Sequence, residues 1–139
     1  MKIKRKIFVL FSVLIAFLFF KCDDDNKINC SFALCTEEFR SIVISIKHKS
    51  DNSAFVLSEY KVFRSSDSKD ITIADNNLSD NNGYYQITND LKLDLFKFKD
   101  TEVEFQGFVN NSLVVQKQFI ITSDCCHISL VSGETDFLL

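Results

Sequence analysis

Hydrophobic and polar residues alternate along most of the chain after residue 40, in short runs that predict β-strands. The clearest run lies within Arg40–Lys49, where Ile42, Ile44 and Ile46 alternate with Val, Ser and Lys. A period of two places one set of side chains on a buried face and the other on an exposed face. The same criterion predicts further strands at Ala54–Arg64, around Ile71 and Ile73, at Tyr84–Thr88, from Val103 to Val109, from Leu113 to Ile121 and from Cys126 to Leu130.

Asn and Asp residues between these runs supply the predicted turns. Asn110-Asn111 separates two long alternating runs and predicts a tight hairpin, since Asn tolerates the left-handed backbone that such turns require. Leu91 to Lys99 fits a strand by alternation and a helical face behind a cap at Asn89 or Asp90, so a short helix or an irregular crossover stays open. Without long helices, these strands predict an all-β fold, a single antiparallel β-sandwich of about seven strands.

The N-terminus carries a pattern for export and lipid attachment. Four basic residues among the first six precede an apolar run, Ile7 to Phe20, whose only polar member is Ser12. Crossing a bilayer takes about 20 helical residues, so this run predicts a signal helix rather than a permanent span. Cys22 follows the run and precedes three Asp residues. The arrangement resembles the signal of Gram-negative envelope lipoproteins, although Lys21 stands where that class has a small residue.

This resemblance implies cleavage before Cys22, acyl chains such as palmitate on that cysteine, and anchoring to the outer membrane, with the acidic run favouring surface display. The chain from Cys22 onward has 11 basic and 19 acidic residues and a formal net charge of −8. An acidic surface repels polyanions, which argues against nucleic acid as a partner. The expected organisation is a signal peptide at 1–21, an acidic tether with the first cysteine pair at 22–36, one sandwich at 37–133 and a tail at 134–139.

Four further cysteines predict disulfide bonds, because the exported part of the chain meets an oxidising environment. They are Cys30, Cys35, Cys125 and Cys126. A bond between the two adjacent cysteines would be strained, which leaves two crosswise pairings open, each joining the start of the domain to its last strand. Neighbours on a strand face opposite sides, so the bridge of Cys126 is expected to be core-like and that of Cys125 more exposed. A metal site that adds His127 is disfavoured, since adjacent cysteines diverge.

Glycine-aromatic steps and a cysteine-histidine pair carry a family resemblance. The steps are Gly83-Tyr84-Tyr85-Gln86-Ile87 and Phe105-Gln106-Gly107-Phe108, and the pair lies in Asp124-Cys125-Cys126-His127-Ile128-Ser129-Leu130. With an opening strand at Ile42 to Lys47, these segments resemble, in their order, the carboxypeptidase regulatory-like (transthyretin-like) β-sandwich domain. The resemblance implies an immunoglobulin-like or transthyretin-like sandwich that serves as an accessory or binding module.

No catalytic residue, metal or cofactor is predicted. His48 and His127 are the only histidines, and no phosphate loop or nucleophile elbow is recognisable. Asp75–Asn82 offers oxygen ligands without the spacing of a calcium loop and favours a solvated turn. The expected function is a lipid-anchored envelope lipoprotein that acts as a non-catalytic accessory or binding module for an envelope protein or glycan. The alternative is a secreted inhibitor or immunity-type lipoprotein that blocks a partner enzyme through the polar connection at Ser65–Asn82.

Overall fold

The computed structural model describes residues 28–73 and 82–139, and within them about half of the residues lie in β-strands, with two short 3-10 helices as the other regular elements. The predicted all-β class is thereby confirmed. The signal helix, Cys22 and most of the Asp75–Asn82 turn lie outside the described residues. The elements are β1 (Ser41–Lys47), β2 (Glu59–Arg64), β3 (Lys69–Asp70), β4 (Tyr84–Asn89), β5 (Thr101–Val109), β6 (Ser112–Ser123), β7 (Ile128–Ser132), β8 (Asp136–Leu138) and two 3-10 helices, Cys30–Phe32 and Asp90–Leu95.

The eight strands form two sheets, one of three strands in the order β4-β1-β8 and one of five in the order β3-β2-β5-β6-β7. The pairs are antiparallel except for β1 and β8, which run parallel with Ile46 opposite Phe137. The expectation of a purely antiparallel fold is therefore wrong at this pair. The prediction of a tail at 134–139 is also wrong, because β8 joins the three-stranded sheet and Phe137 is buried in the core.

A single hydrophobic core lies between the two sheets and gives the fold its sandwich-like character. Ile42, Ile44 and Ile46 of β1 are buried as the alternation predicted, and they belong to the same cluster as Phe105 and Phe119 of the other sheet. Fully burying a side chain of this size contributes about 1.5–3 kcal/mol. The shared cluster, more than either sheet alone, therefore holds the domain together.

Two predicted strands are shorter than the sequence suggested. The Ala54–Arg64 run forms an isolated bridge from Ala54 to Lys47, crosses between the sheets, and becomes a strand only at Glu59. The crossing is fixed by the hydroxyl of Tyr85, which donates to the carbonyl of Phe55 at 2.7 Å and accepts the N–H of Leu57 at 2.8 Å. The strand expected around Ile71 and Ile73 is the two-residue β3, which ends before them.

The predicted Asn110-Asn111 turn and the ambiguous Leu91–Lys99 stretch lie at opposite ends of β6. Asn110 and Asn111 have φ of 49° and 64° and close the predicted hairpin between β5 and β6. The ambiguous Leu91–Lys99 stretch begins as a 3-10 helix, capped by the Asn89 side chain at 3.0 Å from the Leu91 N–H. β6 spans 12 residues, so its ends are about 36 Å apart at roughly 3.3 Å per residue.

Candidate functional site

Two disulfides fasten the N-terminal segment to the far end of β6. Cys30 bonds to Cys125 and Cys35 to Cys126, with Cα atoms 5.4 and 5.3 Å apart. The predicted disulfides and their crosswise character are confirmed, and of the two pairings left open this is the one formed. We call this region, residues 30–40 with Asp90 and residues 124–128, the clasp.

The cysteines at the end of β6 lie in a bend, which corrects the strand predicted from Cys126 onward. The carboxylate of Asp124 accepts the N–H groups of Cys126 at 2.7 Å and of His127 at 2.8 Å, and this capping turns the chain before β7 begins at Ile128. Both Cys125 and Cys126 are half-buried, so the Cys126 disulfide is not core-like as the sequence predicted. The strand parity argument failed because a bend does not alternate its side chains.

A hydroxyl, an imidazole and a carboxylate stand in a row inside the clasp. Thr36 Oγ1 lies 2.9 Å from His127 Nε2, and His127 Nδ1 lies 2.9 Å from Asp90 Oδ2. The same carboxylate accepts the N–H of Arg40 at 2.8 Å and, through its other oxygen, the N–H of Ile128 at 2.9 Å. Asp90 therefore joins the segment before β1, the start of the 3-10 helix and the start of β7.

The charge of Asp90 is stabilised by these contacts. Burial by itself raises the pKa of this carboxyl, but the hydrogen bonds from His127 and from the N–H groups of Arg40 and Ile128 outweigh it and lower the pKa. The order hydroxyl, imidazole, carboxylate is also that of an acyl-transfer triad. Here the imidazole is 9% exposed, and its two nitrogens link Thr36 to Asp90; we call this row the bracket.

The outward face of the five-stranded sheet carries a polar depression. Its volume is about 380 Å³ and it is open to solvent. Glu104 is one of its lining residues, with Gln106 two residues along β5 and Gln118 directly opposite on β6. Glu104, Gln106 and Gln118 face outward because their strand neighbours Val103, Phe105 and Phe119 all point into the core. The lining residues are Phe63, Arg64, Ser65, Ser68, Glu102, Glu104, Gln106 and Gln118.

Glutamine amides favour the charged form of the Glu104 carboxyl group. Gln106 Nε2 donates a short hydrogen bond to Glu104 Oε1. This bond lowers the pKa of Glu104, the amide of Gln116 lowers it further, burial opposes both, and the amide of Gln118 adds to the lowering. An anionic acceptor surrounded by amides that both donate and accept is suited to a ligand rich in hydroxyl groups.

The rim of the depression is fixed by an ion pair. Arg64 places Nε and one terminal nitrogen 2.9 and 2.5 Å from the two carboxylate oxygens of Asp67. The hydrogen bonds from Arg64 lower the pKa of Asp67 to about 2. Two parallel bonds of this kind add geometric definition. The pair thereby ties the turn after β2 to the end of that strand.

Cys22, the predicted site of lipid attachment, lies outside the described residues. Within residues 28–73 and 82–139, no helix is both long and apolar enough to span a membrane. Over the same residues, no three His, Cys, Asp or Glu side chains are grouped so as to hold a metal ion. Comparison of the chain with protein-family models, with curated proteins and with solved structures finds no match.

Sequence reasoning missed most of the polar residues in both regions. Thr36 and Asp90 lie 91 and 37 residues from His127 and belong to no motif. For the depression, the sequence carries one weak signal. Glu104 and Gln106 on β5 and Gln118 on β6 all occupy outward-facing positions of their strands. Such a pattern marks an exposed face but does not distinguish a binding face from a merely solvated one.

Proposed function

We propose that this chain is an envelope lipoprotein, anchored to the outer membrane through acyl chains on Cys22, whose sandwich-like domain is a non-catalytic module that binds a neutral glycan. The domain is a divergent relative of the carboxypeptidase regulatory-like sandwiches. The structural positions of two glycines from the resembling segments support that relationship. Gly83 leads into β4 with φ +74°, and Gly107 lies in β5 where a Cβ would collide with Val115 and Leu57.

The depression around Glu104 is the observation that carries the binding role. Ligand sites typically combine a concave surface with a few convergent polar groups. Here the carboxylate is held in place before any ligand arrives, so it loses little freedom on accepting a hydroxyl. The ring of Phe63 supplies an apolar face on the lining. A sugar, with hydroxyl groups at its edges and C–H groups on its faces, matches both features.

Charge favours a neutral ligand over an anionic one. Glu102 and Glu104 lie in the depression, and its one basic residue, Arg64, is engaged by Asp67. The exported chain is acidic as a whole, with a formal net charge of −8 from 11 basic and 19 acidic residues. Anionic saccharides would meet repulsion at long and at short range. We therefore expect neutral hexose or N-acetylhexosamine polymers of the envelope to bind.

Binding to immobilised neutral oligosaccharides tests this role, using the full lipoprotein in mild detergent. A charge-assisted hydrogen bond contributes about 1.5–3 kcal/mol, so Glu104→Gln should weaken binding by about 10- to 100-fold. The matched control is Glu59→Gln, which removes the same charge from an exposed position outside the depression and should leave affinity unchanged. Equal affinity of the Glu104→Gln and unaltered proteins would contradict the site.

The anchor has a separate test. Replacing Cys22 with Ser should abolish palmitate labelling and shift the protein from the detergent phase to the aqueous phase. Retention in the detergent phase would show that acyl chains on Cys22 do not anchor the chain.

An inhibitor role would require a protruding reactive loop. The described part of the candidate connection, residues 65–73, is instead folded back by the Arg64–Asp67 pair and by Thr72, whose hydroxyl accepts the Val62 N–H at 2.8 Å. A partner enzyme whose capture is unaffected by Glu104→Gln would favour that role over glycan binding.

A further inference from the structure

The segment between the two disulfides presents large apolar side chains to solvent. Phe32 is 90% exposed and Leu34 is 99% exposed, and the flanking Ile28 and Phe39 are 59% and 58% exposed. Single exposed apolar residues are common on protein surfaces, but a cluster of them in one short segment marks an interaction surface. We call residues 28–39 the apolar loop.

This exposure is built into the clasp. The 3-10 helix Cys30–Phe32 is capped by Asn29, whose side chain accepts the Ser31 N–H at 2.9 Å. The disulfides at Cys30 and Cys35 fix the loop on both sides of Phe32 and Leu34. The two bridges therefore restrict how far these side chains can move toward the core.

We propose that the apolar loop seats in the interfacial layer of the bilayer to which the chain is anchored, with Phe32 and Leu34 as the inserted side chains. The inference rests on the proposed acyl attachment at Cys22. Seven residues separate Cys22 from Cys30, and an extended chain rises at most about 3.5 Å per residue, so Cys30 lies within about 28 Å of the lipid. The loop is the part of the described domain that the tether brings first to the surface.

Charge shows what kind of surface this is. Asp23, Asp24 and Asp25 precede the loop, and Glu37 and Glu38 lie near its C-terminal end, where Glu38 is paired with Arg40 at 2.9 Å. An anionic lipid surface attracts basic segments and repels such an acidic one. The loop is therefore suited to a zwitterionic surface, with contact made by apolar burial alone.

Seating the loop would orient the whole domain. The clasp lies at one end of β6 and the Asn110-Asn111 hairpin at the other, about 36 Å away by strand length. With the clasp on the membrane, the hairpin points outward and the outward sheet face stands roughly upright between them. The apolar loop thus gives the tethered domain a defined presentation of the binding face.

Depth-dependent fluorescence quenching tests the proposal, because the chain contains no Trp of its own. The full lipidated protein carrying Phe32→Trp is reconstituted into phosphatidylcholine vesicles with or without bromine on the acyl chains. We expect a blue-shifted emission that loses intensity in the brominated vesicles. The matched control is Leu113→Trp at the hairpin end, 48% exposed, which should show neither effect. Adding Leu34→Asp to Phe32→Trp should reduce the quenching.

Two measurements on the same samples separate the possible failures. Vesicle flotation and palmitate labelling report the anchor, whereas bromine quenching reports the loop. Labelled protein that floats but gives equal Phe32→Trp emission in both kinds of vesicle would overturn the seating of the loop and leave the anchor standing. Loss of both label and flotation would overturn the anchor and, with it, this inference.

Discussion

Removing the carboxylate of Asp90 should destabilise the domain more than any other single change at the clasp. In an Asp90→Ala variant the N–H groups of Arg40 and Ile128 and the Nδ1 atom of His127 lose their common acceptor. Arg40 is exposed and its N–H can bond to water, whereas Ile128 and His127 are buried. Each buried group left without a partner costs about 1–3 kcal/mol, so we expect a loss of about 3 kcal/mol in the free energy of unfolding.

Two further variants separate the charge from the shape of the side chain. Asp90→Asn keeps one acceptor but places an amide donor where Oδ2 faces the N–H of Arg40, and it should cost about 2 kcal/mol. Asp94→Ala removes an exposed carboxylate from the same 3-10 helix and should stay within about 0.5 kcal/mol of the unaltered protein.

Urea unfolding of the oxidised protein, followed by tyrosine fluorescence, measures all three values. Tyr60 and Tyr85 are packed against each other in the core, 5.5 Å between ring centroids, so their emission should report loss of tertiary structure. A cost below about 1 kcal/mol for Asp90→Ala would refute the reasoning, since a surface substitution can have that effect without any network.

The pH dependence gives an independent check. The pKa of Asp90 is lowered in the folded chain, below the value of about 3.9 for an unfolded Asp. Its stabilising contribution is therefore fully present above the unfolded pKa and is lost as the pH falls through the folded pKa. The difference in stability between the unaltered protein and Asp90→Asn should be largest near neutral pH and should narrow below about pH 4. A constant difference would assign the effect to packing.

Three other substitutions test the fold. Replacing both Cys30 and Cys125 with Ser should cost about 2–3 kcal/mol while the second bridge remains, because that bridge already closes the long loop. Gly83→Ala should cost at least about 2 kcal/mol, since a Cβ at φ +74° would lie 2.5 Å from the carbonyl oxygen of Ile46. Tyr85→Phe should cost about 1–3 kcal/mol by leaving two backbone groups of the crossing without partners. Thermal unfolding measures each, and unchanged midpoints would contradict the corresponding contact.

The strands that sequence reasoning located correctly share one property, a long alternation with one face in the core. β1, β5 and β6 are of this kind, and the Asn110-Asn111 turn between two of them follows from local backbone preferences. The disulfides were also predictable in outline, because bonding adjacent cysteines to each other is unfavourable and only crosswise pairings remain. These features depend either on residues close together along the chain or on the small number of possible cysteine pairings.

The parts that sequence reasoning missed depend on distant partners. β8 has three residues, too few for a periodic signal, and its parallel pairing with β1 places the buried Phe137 opposite Ile46, 91 residues earlier in the chain. The bracket in the clasp joins Thr36, His127 and Asp90, whose residue types are common in any exposed turn. Their roles come from the assembled fold, and no spacing along the chain encodes them.

The adjacency of Cys125 and Cys126 affects how the protein matures. Exchanging their partners would shift each bridge by only one residue, so the native isomer and its swapped form retain the same chain topology. A thiolate released at one site would lie next to the remaining disulfide, where exchange proceeds through a mixed intermediate. Oxidation that is faster than this exchange can therefore trap both isomers, and a thiol isomerase would raise the yield of the native one.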